Sequence, residues 1–111
     1  MATATFAQIE GTLNTYRNTT DEPMPPGTIV TIGARIGIAA AGIAPQNTGA
    51  VNMTGIYALP KGDGEIAMGT ELIWDGDKAI PGTPAEGTPA AGYAAADAAA
   101  TDTIVPVVIN A

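Results

Sequence analysis

The chain has 111 residues and a net charge of −7, from four Lys+Arg against eleven Asp+Glu, with no cysteine and no histidine. That length holds one domain, or one domain and an arm. The acidity argues against nucleic acid and anionic membrane surfaces as partners, and the missing thiols and imidazoles exclude disulfides, thiolate metal sites, Cys nucleophiles and Ser-His triads.

In chain order, Met1–Thr5 lacks the basic and apolar regions of a signal peptide. Residues 1–24 read as an arm carrying one short strand around Thr12–Tyr16, followed by the polar stretch Arg17–Met24. Pro25-Pro26-Gly27 is a turn signal that opens the main domain, 25–111. Thr28–Ile32 and Arg35–Ala39 predict a hairpin broken at Gly33-Ala34, and Ala40–Thr48 predicts a loop. Gly49–Leu59 is the longest strand candidate, with Gly55 as a bulge or a close backbone approach.

Glu65–Met68 is short enough to be a single turn. Thr70–Trp74 and Ala79-Ile80 flank Asp75-Gly76, an Asp-Gly pair that suits a tight hairpin. After the loop Pro81–Pro89, Ala90–Ala95 and Thr103–Ile109 read as the last strands. Pro106 within the final strand predicts an edge position or a bulge, because proline donates nothing to a ladder. Glycine and proline recur too often after Pro25 for helix. The expectation is an all-β fold of about seven or eight short strands, a small barrel or sandwich with an N-terminal arm.

Motifs that carry chemistry are sparse. Asp75-Gly76-Asp77 resembles a fragment of a calcium loop, but Lys78 and Ala79 follow where further oxygen ligands belong. Gly62-Asp63-Gly64 lacks the Lys-Ser/Thr pair of a phosphate loop. No catalytic, metal or cofactor residue is expected. Tyr57, Trp74 and Tyr93 are either packing residues or contact anchors for a sister subunit or ligand. Phe6, Ile9 and Leu13 are apolar anchors in the arm, and need a surface to cover them.

Five stretches in order resemble one family. They are Gly37-Ile38-Ala39, Gly55-Ile56-Tyr57-Ala58-Leu59-Pro60-Lys61, Gly69-Thr70-Glu71-Leu72-Ile73-Trp74-Asp75, Gly92-Tyr93-Ala94 and Ile104-Val105-Pro106-Val107. Phe6-Ala7-Gln8 and Pro26–Val30 add to the likeness. The family is that of tailed-phage capsid cement, or head decoration, proteins. Thr70 stands where its members usually carry Asp, and Pro106 interrupts the last strand.

The resemblance implies a structural virion protein and no enzyme. Its expected partner is the major capsid protein, on the outer surface of the mature head, with the chain arranged as a homotrimer. Phe6, Ile9, Leu13, Tyr16 and Arg17 are the expected capsid contacts. The rival expectation is a carbohydrate- or receptor-binding β-module, in which Tyr57, Trp74 and Tyr93 would stack on sugar faces.

Overall fold

The computed structural model describes residues 2–4, 12–85 and 87–111; Phe6 and Ile9 lie outside the described residues. Among those described, nine strands form two antiparallel sheets. They are β1 (Thr12–Arg17), β2 (Ile29–Ile32), β3 (Arg35–Ala39), β4 (Thr48–Asn52), β5 (Ile56–Pro60), β6 (Glu71–Trp74), β7 (Ala79–Pro81), β8 (Ala90–Ala94) and β9 (Ile104–Ile109). The first sheet runs β1-β4-β3-β2 and the second β5-β9-β8-β6-β7. The fold is all-β, and the two sheets stay open at their edges as in a sandwich.

The hairpins follow their turn residues. Ile32 pairs with Arg35 across Gly33-Ala34, and Trp74 pairs with Ala79 across the Asp75–Lys78 turn. Asp75 Oδ1 accepts the backbone N–H groups of Asp77 at 2.8 Å and Lys78 at 2.6 Å. These bonds hold the Asp75 carboxyl below its ordinary pKa. Gly76 supplies the positive φ of 100° that the turn requires. Asp102 Oδ2 accepts the Ala99 N–H in the turn that precedes β9.

Two expectations are corrected. The stretch 49–59 is not one strand. β4 belongs to the first sheet and β5 to the second, and the chain crosses between them at Met53–Gly55. Gly55 has φ +119°, a conformation other residues rarely adopt, so it marks a change of sheet and not a bulge. This split brings the count to nine.

Pro106 also sits elsewhere than expected. β9 is an interior strand between β5 and β8. The bonds Ile109 N to Gly55 O and Lys61 N to Thr103 O set the alternation of the β5–β9 ladder. They put Ala58 and Pro106 in a non-hydrogen-bonded pair, where no proline donor is needed. On its other side Pro106 meets only the end of β8, where its carbonyl accepts from Ala95 N at 2.8 Å. The missing donor therefore falls on the last rung. Pro60 and Pro81 lie on the edge strands β5 and β7, as proline in sheets prefers.

The main core lies between the sheets. Leu59, Leu72, Trp74, Val105, Val107 and Ile109 of the second sheet meet Ile36 and Ile38 of β3. Alanines 79, 91, 94 and 98 fill the narrow places. A smaller cluster occupies the other face of the first sheet. Ile43 crosses over Gly49, where a Cβ would meet it, and buried Val30, Ala39 and Val51 share that face.

Asn18 holds the loop beyond β1. It is completely buried, and its Nδ2 donates to Glu22 O at 2.8 Å and Ile43 O at 3.0 Å. Its Oδ1 accepts from the N–H and Oγ1 of Thr20. Every buried polar side chain among the described residues is hydrogen-bonded.

Candidate functional site

The candidate contact residues fall in separate places. β1 is the edge strand of the first sheet, paired with β4. Leu13 lies opposite Val51 and Tyr16 opposite Gly49, with a register shift between them. Val51 and Gly49 are two residues apart on β4, so Leu13 and Tyr16 share one face although three apart in sequence. The bulge thus gathers β1's two large apolar side chains beside the Ile43 cluster. Leu13 is 40% exposed and Tyr16 is half-buried. Arg17 turns aside, donating from Nη2 to Gln46 Oε1 at 3.1 Å and from Nε to Gln46 O at 3.3 Å.

Trp74 is buried in the main core, with 6% of its surface exposed. Tyr57 is half-buried, and its hydroxyl accepts from Asn52 Nδ2 at 2.9 Å, linking the two sheets. Tyr93 is 40% exposed. The three aromatics do not form a common stacking platform.

Tyr93 has neighbours that the sequence reading passed over. The registers align Ile56, Val108, Tyr93 and Glu71 in one row across four strands. Ile104, at 54% exposed, and Ile56, at 63%, leave this outer face of the second sheet apolar. β5, β8 and β9 carry no charged residue, and Glu71 stands at the margin. A strand half-buried against water usually alternates apolar with polar residues. The signal was present in Ile104–Ile109, which is apolar on both alternations.

A second feature lies where the sandwich is open. A groove of about 330 Å³ runs between β5 and the β2–β3 end of the first sheet. Ile29, Ile38, Tyr57 and Leu59 line it, with Asn52 as a polar side chain and no charged residue. Elsewhere, Glu65, Asp97 and Asp102 border an open depression of about 780 Å³. Asp97 accepts the Met68 N–H and Asp102 the Ala99 N–H, so both serve turns. Among the described residues no cluster suited to a metal ion occurs.

Among the described residues the surface offers apolar patches at Leu13, Ile56, Tyr93 and Ile104. A family model described as phage cement protein matches residues 9–109. The chain belongs to the phage cement protein family. No curated protein and no solved structure matches it. Membership carries a structural, capsid-associated role, with the phage capsid as the binding partner.

Proposed function

We propose that this cement protein binds the outer surface of the mature head through the major capsid protein and stabilises the shell by adhesion, without catalysis. The family match over residues 9–109 carries the reading. The physical logic is mass action: a ligand that binds only the expanded lattice stabilises it at every site. A weak contact suffices when it recurs across the shell. Sister copies gathered in threes would add to the hold on each site.

The surface chemistry supports this reading. Leu13 and Tyr16 on β1 provide apolar anchors at one edge; in the sequence Phe6 and Ile9 precede them. Few side chains on the outer sheet face are long and charged, so little conformational entropy is lost when the face is covered. The acidic remainder keeps decorated particles from aggregating or binding nucleic acid. The rival sugar-binding reading draws no support, because Trp74 is buried and Tyr57 is tied to Asn52.

The test is reconstitution. Heads lacking this protein are mixed with the purified chain, then heated while DNA release is followed. The expected result is saturable binding and a higher release temperature. Binding without any rise removes the stabilising role, and absence of binding removes the reading.

A further inference from the structure

We propose that the open side of the sandwich beside β5 is a strand-acceptor groove, which takes an extended, uncharged segment of the capsid subunit as an added strand. This rests on the capsid-binding reading above and names the contact that reading leaves open.

The free edge of β5 carries the argument. Gly55 O and Lys61 N bond to β9 and Thr103, so residues 55, 57, 59 and 61 turn their backbone groups inward. Ile56 and Ala58 therefore point their N–H and C=O groups away from the sheet. β5 is an edge strand, and both residues are exposed. Such a row is a template for another strand.

The other edges are better guarded. β7 has three residues and ends on Pro81. β1 carries a register shift and Arg17. β2 has four residues and runs into Arg35 through its turn. At β5, by contrast, no charged residue occurs anywhere from Val51 to Pro60. The end at Pro60 is closed, because proline removes one outward donor and Lys61 just beyond it bridges to Ala79 of β7, with Gly62 N donating to Ala79 O at 3.4 Å; the free part of the edge is Ile56 to Ala58.

The groove supplies what an added strand needs beyond backbone bonds. A segment paired to Ile56 and Ala58 would point alternate side chains toward Ile29, Ile38 and Leu59. The volume of about 330 Å³ suits small apolar side chains such as Ala, Val or Thr. With no charged lining residue, a charged side chain entering there would lose its hydration without gaining a partner.

Two observations favour a capsid segment over a second copy. Each copy carries −7, so like charge opposes self-association in solution. A five-residue strand is about 17 Å long and covers a footprint of roughly 200 Å². That is far below the about 800 Å² per partner of a stable soluble complex. A contact of that size works where other contacts hold the partners together, as on a lattice.

The experiment compares the wild-type chain with Ala58→Pro on heads lacking this protein, with bound copies counted by mass spectrometry. Proline removes one outward N–H and no β9 bond. Hydrogen exchange of the peptide covering residues 54–61 is followed in free and bound wild-type protein. The expected results are an apparent affinity about tenfold weaker for the variant and slowed exchange of that peptide on the particle.

Equal binding by a cooperatively melting Ala58→Pro overturns the proposal and leaves the capsid reading intact, as does unchanged exchange in the bound wild type. If the variant does not fold, the exchange result alone decides. A free chain that is already dimeric and protected at 54–61 assigns the edge to a second copy and overturns it too. Failure of the wild type to bind overturns both.

Discussion

Asn110, just beyond β9, and Ile36, on β3, exchange two hydrogen bonds across the sandwich. Asn110 Nδ2 donates to Ile36 O at 2.7 Å, and Ile36 N donates to Asn110 Oδ1 at 3.2 Å. The same Nδ2 reaches Met53 O at 2.8 Å. One side chain thus ties the last strand to the first sheet and to the crossover that leads into β5. Its backbone sits at φ 57°, in a region that Asn tolerates better than most residues.

Replacing Asn110 separates these two contributions. Asn110→Ala loses the three bonds and keeps an unfavourable backbone, and should lower stability by about 2–4 kcal/mol. Asn110→Gly loses the same bonds but suits the backbone, so its loss should be smaller. Urea unfolding of both variants measures the difference. Equal stability of either variant with the wild type would contradict the bridge.

Gly92 faces a harder limit. Its φ is +136°, and a Cβ there would run into the Val108 carbonyl oxygen on β9. That backbone oxygen cannot move without disturbing the central ladder. Gly92→Ala should cost about 3 kcal/mol or more, read as a lower melting temperature with unchanged denaturant slope.

The Asp75 turn gives a pH dependence. Its folded pKa is depressed, first by the Lys78 N–H bond and then by that of Asp77. A depressed carboxyl stabilises the fold above its unfolded pKa and loses that contribution as pH falls through the folded value. Asp75→Ala should therefore melt below the wild type near neutral pH. The gap should narrow as pH drops beneath the ordinary carboxylate range. Thermal melts across pH check this, and a gap that widens in acid would oppose it.

Asn18 predicts an effect on the edge that presents Leu13 and Tyr16. Asn18→Ala removes the four hydrogen bonds that this completely buried side chain makes with Glu22 O, Ile43 O and the N–H and Oγ1 of Thr20. Ile43 O keeps the Met24 N–H and Glu22 O keeps Thr20 Oγ1, so the loss should be about 2–3 kcal/mol. Amides of β1 should then exchange faster, while those of β8 and β9 change less. Native-state hydrogen exchange distinguishes this from uniform destabilisation.

The hairpin at 28–39 and the Asp75–Lys78 turn were legible because each has a local cause: β-branched runs closed by turn residues. The class of fold followed from glycine and proline spacing. The division of 49–59 was not legible, since a glycine in a strand pattern signals a bulge as readily as a change of sheet. Pro106 misled for a related reason. Whether a missing donor matters depends on which rung it meets, and that is a property of the partner strands. Asn18 and Asn110 lie in turn-like contexts, where asparagine ordinarily serves its own backbone. The apolar outer face of the second sheet was not legible because Ile56 and Ile104 look like core residues until register shows which face they occupy.

The most direct test of the central claim is the composition of intact particles. Heads made by the genome that encodes this chain are purified, and the chain is quantified against the major capsid protein by mass spectrometry. A cement role requires a large, fixed ratio, approaching one copy per capsid subunit. A few copies per particle, or none, would contradict lattice-wide attachment and with it the account given for this protein.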